Sequence, residues 1–437
     1  MIQRTKPLAI IAMIALVLSA CGGGTTSPGA SGGTSKATLT IAAVAGVEDV
    51  GLKKLAPMYT AKTGVKITIV EAPYATLYTK LVNSFQANDA TYDLVMMDDP
   101  WMPKFGTVDA LTPLEPLGIK KDTDIAQVVW DVGTWPPPHG AVPPSEKDKT
   151  AALLGVTIVG NVEMFMWRKD ITPTGPASYD EVLANAKAQN KPNFAGYIIR
   201  GKATNPVVAD FLPILWSFGG DVFDDSWNVV FDNDKSLAAV KFLVEDLKAV
   251  AQAGPASSDA SERDKAMASG QGYQSSTWPG EINTAVLGPG TTVKGKVGFQ
   301  PIPKGPSGNG VGMMGNWMLG IPKASKNQQA AADFIKWMLQ ADTQKTYAQN
   351  GGIPSRTSVL KDASLQDANP YFSVLADAFQ APPNWRPRTD QWNAVETIIG
   401  TELNKALAGQ QSAQDVVTNA SKQIRTLMKQ ANYPTAQ

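Results

Sequence analysis

Through its first hundred residues the chain alternates short β-branched apolar runs with amphipathic helical stretches, and no other feature narrows the fold as far. Residues 38–43 (TLTIAA), 65–70 (VKITIV) and 92–97 (YDLVMM) read as strands whose starts lie roughly 27 residues apart. Helical spacing fills the gaps: a first helix from about residue 48 to Thr63, stopped by Gly64, and a second over 74–87 with Leu77, Leu81, Val82 and Phe85 on one face. A tight hairpin cannot join parallel strands, so strands separated by helices predict βαβ units and a mostly parallel sheet. In such sheets ligands bind beyond the carboxyl ends of the strands. Those ends are residues 44–48 (VAGVE), 71–74 (EAPY) and 98–101 (DDPW).

The remainder of the chain repeats the α/β pattern after a Pro-rich interruption, WPPPHGAVPP at 135–144. Helices are expected over 179–189, 206–218, 235–252, 328–339 and 392–407, the last as the final long helix. Strands are expected at 196–200, 229–231, 295–299 and 317–321. The full sequence has 437 residues, enough for two or three domains, and the reading is two α/β lobes.

The N-terminus gives a different signal. Arg4 and Lys6 precede an apolar run over 8–18, too short for the ~20 residues a membrane-spanning helix needs. The run ends in Leu18-Ser19-Ala20-Cys21, which reads as a secretory signal over residues 1–20 and resembles a lipobox with Cys21 as the lipidated residue. GGGTTSPGASGGTSK follows, a flexible tether within 21–37. Loss of Arg4 and Lys6 leaves an exported, lipid-anchored chain that is slightly acidic.

Composition removes several classes of function. With 39 basic and 39 acidic side chains there is no basic surplus for nucleic acid. One Cys and one His exclude intramolecular disulfides and a Cys/His metal centre, and no cofactor is expected. Neither a GxSxG elbow nor a P-loop occurs. Adjacent Asp224 and Asp225 read as a turn. Asp98 and Asp99, at a strand end, read either as a cap for the next segment or as binding carboxylates.

The tryptophans point to a pocket. Trp167, Trp216, Trp337 and Trp392 fall in apolar segments and read as core. Trp101 (DDPW), Trp278 (SSTWPGE), Trp317 (GNWM) and Trp385 (PPNWRPR) sit in loops beside carboxylate, amide and guanidinium groups. An indole face can stack on a sugar ring while such polar groups bond its hydroxyls.

The lipobox and tether, YDLVMMDDPW, FLPILWSFGGDVF, GYQSSTWPGEI, GNWMLGIP and GGIPSR together resemble bacterial extracellular solute-binding lipoproteins of family 1, the sugar-capturing components of ABC importers. The resemblance implies a periplasmic-binding-protein fold of type II, two α/β lobes hinged by three crossings near 159–163, 272–277 and 351–355. Lobe one would span 38–160 and 276–352, and lobe two 161–275 and 353–437. It further implies a carbohydrate or polyol ligand, permease subunits in the membrane as partners, and a monomer that performs no chemistry itself.

Candidate ligand residues follow from the same resemblance. Glu48 is similar to an acidic hydroxyl acceptor, or is a helix-start acid. Asp98 or Asp99 matches the carboxylate after the third strand, and Asn161 stands where relatives carry an acid. Trp278 resembles the stacking aromatic at the second crossing, and Gly315, Asn316 and Trp317 a loop that approaches ligand. Either Arg386 or Arg388 matches an Arg that reaches the sugar, the other reading being a surface ion pair. Tyr74 is a ligand or a packing residue. Competing functions are a glycan-degrading enzyme, the same fold with a phosphorylated polyol or amino-acid derivative, and presentation of ligand to a sensor kinase.

Overall fold

The structure is a computed structural model that describes residues 37–381 and 384–434; the expected signal sequence, Cys21 and nearly all of the tether lie outside them. In chain order the main elements begin β1 (Thr38–Val44), α1 (Val50–Thr63), β2 (Lys66–Ala72), α2 (Tyr74–Ala87) and β3 (Leu94–Asp98). Then come β4 (Val156–Val159), β5 (Met164–Arg168), α3 (Tyr179–Gln189), α4 (Asn205–Ser217), α5 (Asp234–Lys241) and α6 (Ala260–Ala268). The chain continues through β6 (Gln274–Thr277), α7 (Pro279–Ala285), β7 (Val297–Gln300), β8 (Trp317–Gly320), α8 (Gln328–Met338), α9 (Trp392–Leu407) and α10 (Ala413–Gln430). Among the described residues no helix is long and apolar enough to cross a membrane.

The first sheet has the order β2-β1-β3-β8-β4. The two βαβ units put β2 and β3 parallel to β1, with Thr38 opposite Lys66 and Ile41 opposite Leu94. Strand β8 returns from the other sheet and enters between β3 and β4 antiparallel to both, so the sheet is mixed. Its direction matters for the site, because Trp317 at its start pairs with Asp98 at the end of β3. The second sheet, β6-β5-β7, is wholly antiparallel.

Two apolar clusters hold these sheets. Alternation along β5 divides its side chains between them, Met164 and Met166 in the first and Phe165 and Trp167 in the second. The first cluster packs both faces of β1 and β3 and takes in α8. The second gathers α3, α4, α9 and α10. Residues 353–379, placed with lobe two by the sequence reading, contribute Ile353, Leu360, Tyr371 and Phe372 to the first cluster; the second resumes at Trp392. Two of the segments expected to cross between lobes touch, Gly160 N donating to Ile353 O at 2.9 Å. A Cβ on Gly160 would stand 2.6 Å from the Pro354 carbonyl oxygen, so only glycine permits that approach.

Several expected elements differ. Residues 196–200 form no ladder strand, because the Gln252 side chain takes both backbone groups of Ile199, at 2.9 and 2.6 Å. The helix expected over 235–252 loosens after Lys241 into a π turn (Phe242–Leu247) and a 3-10 turn (Lys248–Val250). Residues 229–231 reduce to a single bridge between Phe223 and Val229. A further long helix, α10, follows α9; Ser412 and Asp415 cap it reciprocally, and Val416, Val417, Ala420, Ile424 and Met428 bury one face.

Phe211, fully buried in α4, meets Phe231 edge-on with ring centroids 6.2 Å apart. Phe211→Ala should lower unfolding free energy by about 3–5 kcal/mol in urea titration.

Candidate functional site

A cleft of about 1180 Å³ opens beyond the carboxyl ends of β1 and β3. The loop at 44–48 and the side chains of Tyr74, Tyr78, Trp101 and Trp317 line it from the first sheet; Arg200, Lys202, Thr204, Asn205, Asp259 and Asp264 face them. Glu281 of α7 and Glu396 of α9 complete the wall. An inner recess of about 90 Å³ shares Glu48, Tyr74, Arg200, Asn205, Glu281 and Trp317 and adds Asp98, Asn161, Trp278, Gly315 and Arg386.

The aromatic wall is rigid. Tyr74, the first residue of α2, lies 4.9 Å from the Trp101 ring and 5.8 Å from that of Trp317, and those two indoles meet edge-on at 5.5 Å. The Tyr74 hydroxyl donates to Asp98 Oδ2 at 2.9 Å. Asp98 Oδ1 accepts from Asp99 N at 3.0 Å, capping the short turn Asp99–Trp101. One carboxylate therefore serves as cap and as recess wall.

Charges at the recess floor are buried and shared. Arg386 Nη1 lies 2.9 Å from Asp99 Oδ1 and 3.8 Å from Asp98 Oδ1, while its Nε lies 3.8 Å from Glu396 Oε1. Burial works against its charge, but these three carboxylates outweigh that and keep Arg386 protonated. Glu396 also accepts from Asn205 Nδ2 at 3.1 Å. Burial pushes the Asp98 and Glu396 carboxyls up, with Arg386 pulling each back. Burial likewise raises Glu48, at the cleft wall, to about 7.

Trp278 stands between β6 and α7 and lies against Gly315, where a Cβ would stand 2.4 Å from the indole ring. Gly315 thus makes room for the tryptophan as well as lining the recess. Asn161 is clasped from both sides: its N donates to Asn316 Oδ1 at 2.7 Å and its O accepts from Gly315 N at 2.9 Å. The indole N–H groups of Trp101 and Trp278 are buried without a partner among the described residues.

Of the residues singled out from sequence, Glu48, Tyr74, Asp98, Trp101, Asn161, Trp278, Gly315, Trp317 and Arg386 line the cleft or recess. Asp99, Asn316, Trp385 and Arg388 do not. Asp99 pairs with Arg386, and Asn316 holds Asn161 from behind. Arg388 is buried, donating to Asp99 O at 3.1 Å and Val132 O at 2.8 Å, with Trp385 5.4 Å away. Trp385 stacks on His139 at 4.3 Å. The sequence reading passed over Arg200, Asn205, Glu281 and Glu396. A signal existed for two of them: Asn205 opens a helix after an apolar run, and Glu281 falls three residues after Trp278 in TWPGE.

A family model for bacterial extracellular solute-binding proteins matches residues 41–345. A probable amino-acid ABC transporter periplasmic-binding protein of Sinorhizobium fredii is 25% identical over 383 residues, covering 86% of this chain and 85% of that protein. A mannitol-binding protein of Pseudomonas aeruginosa is 23% identical over 352 residues, 70% of this chain and 79% of its own. Among solved structures, maltose-bound MalE3 of T. maritima superposes with a TM-score of 0.78 at 26% identity, covering 90% of this chain and 100% of that one. A solute-binding protein of Agrobacterium vitis with bound D-mannitol gives 0.76 at 24% identity, covering 91% and 99%.

Two expectations follow from the geometry. Gly315→Ala should push the Trp278 indole aside, shifting tryptophan emission and weakening solute binding about tenfold, or about 1.4 kcal/mol, by titration calorimetry. The second concerns pH. With its carboxyl raised from 4.5 to about 7, Glu48 holds a proton in the folded state that the unfolded chain has released. Its contribution is present below the unfolded value and lost as pH rises through about 7. The solute-free protein should therefore melt lower at pH 8 than at pH 5, and Glu48→Gln should shrink that difference by about 2 °C in differential scanning calorimetry.

Proposed function

The chain belongs to the bacterial extracellular solute-binding proteins, and from that premise we propose that it captures a sugar or polyol outside the cytoplasm and delivers it to the permease of an ABC importer. One observation carries the reading: two sides of a single cleft bring Tyr74 and Trp317, backed by the fully buried Trp101, up against hydrogen-bonding carboxylates, amides and a guanidinium. Apolar faces with a few fixed polar groups suit a ring or chain of carbons that bears many hydroxyls. The maltose and D-mannitol of the neighbouring structures are ligands of that kind.

In this reading the two lobes divide near the sequence-derived crossings, with residues 353–379 moving with the first. Solute bridges them, and the permease favours the bridged state. The protein acts as an exported monomer anchored through Cys21 and carries out no reaction.

A second reading, an amino-acid-type solute, is favoured by the name of the Sinorhizobium relative. A phosphorylated solute fits less well, because two of the three cleft cations, Arg200 and Lys202, are already engaged by Asp210 and Asp259, which leaves Lys265.

A thermal-shift screen of residues 37–437 should separate these readings. Maltose, ribitol or D-mannitol should raise the melting temperature, since a ligand of the folded state must do so. Trp278→Ala should abolish that rise in a folded protein. A response confined to amino acids would replace the solute class.

A further inference from the structure

Behind the cleft lies a chain of charges that none of the cleft's aromatic or hinge contacts explains. Arg263 of α6 is fully buried and lines neither the cleft nor the recess. Its guanidinium reaches three carboxylates on three helices. Nη1 stands 3.1 Å from Asp210 Oδ2 of α4, Nε stands 3.4 Å from Asp264 Oδ1 of α6, and Nη2 pairs with Glu281 of α7. Asp210 uses its other oxygen, Oδ1, for Arg200 Nη1 at 3.4 Å, and Arg200 Nε reaches Asp259 Oδ1 at 3.4 Å. Two members of this chain, Glu281 and Arg200, line the recess.

We propose that Arg263 is a positioning residue that sets Glu281, directly, and Arg200, through Asp210, in the orientation that receives solute. The assignment rests on reading the cleft as the solute site. The chemistry favours Arg over any other side chain here. A planar fork offers donors in fixed directions to several carboxylates at once, whereas an ammonium offers a point charge. Glu281 also sits in the first turn of the helix that Trp278 begins, so fixing its carboxylate fixes the start of α7 beside the recess tryptophan. Without the guanidinium, the three carboxylates that share it, Glu281, Asp264 and Asp210, would be left together with Glu163 buried nearby; Glu48 and Asp98 also share the recess with Glu281, and Arg200 and Arg386 are the cations that remain there. Like charges so placed hold a carboxyl protonated or turn it away.

The test uses the full chain. The side-chain carboxyl of Glu281 is titrated by carbon-13 NMR without solute, and maltose and D-mannitol affinities are measured by calorimetry, in wild type, Arg263→Met and Arg263→Lys. Arg263→Met should raise the Glu281 midpoint by about one unit and weaken the bound probe at least about tenfold; Arg263→Lys should recover part of both. An unchanged midpoint in Arg263→Met overturns the assignment, as does a moved midpoint with unchanged affinity. If wild type binds neither probe, the sugar reading fails, and the midpoint alone judges Arg263. If Arg263→Met does not fold, the midpoint in Arg263→Lys decides, no displacement counting against the proposal.

Discussion

A single guanidinium shared among three buried carboxylates organises the floor of the cleft. Arg386 comes from the segment that leads into α9, whereas Asp98 ends β3 of the first sheet and Asp99 follows it. Their ion pairs draw the C-terminal segment onto the carboxyl edge of the sheet. Glu396, on α9, adds the third carboxylate and passes the connection to Asn205 at the start of α4. Taking so many charges out of water is costly unless each finds partners, and removing one member of such a set leaves the others uncompensated. The arrangement therefore holds as a whole, and the aromatic wall is hung on it through the Tyr74 hydroxyl and Asp98.

The same economy of position recurs at the hinge. Strand β5 feeds alternate side chains to the two clusters, so neither packs independently of it. Close contacts at Gly160 and Gly315 let crossing strands and an indole approach where a methyl group would collide.

Local pattern was enough for much of this. Alternation and helical spacing in the first hundred residues identified β1, α1, β2, α2 and β3 with small shifts at their ends, because each has a strong period of its own and clear stops. Residues 196–200 misled the reading for a physical reason: an apolar β-branched run looks like a strand whether a neighbouring strand or the Gln252 side chain satisfies its backbone. Glu48, Tyr74 and Asp98 were legible because strand ends in a parallel sheet point to the ligand edge. Arg388 and Trp385 carried the same surface signs as Arg386 and yet pack against Val132 and His139. Two arginines separated by one residue cannot be told apart until the backbone path between them is known.

Sequence by itself determined the class of the fold, the exported character expected of the N-terminus, and the stock of aromatic and acidic residues from which a solute site could be made. These depend on periodicity, composition and short motifs, which are local. The tertiary structure decided which members of that stock meet. Trp317 reaches Asp98 only because β8 enters the sheet antiparallel to β3, and Arg200 and Glu281 meet in the recess from distant parts of the chain, linked behind it by the buried fork of Arg263. Contacts between residues far apart in sequence depend on how the sheets and helices pack, and no local pattern records that.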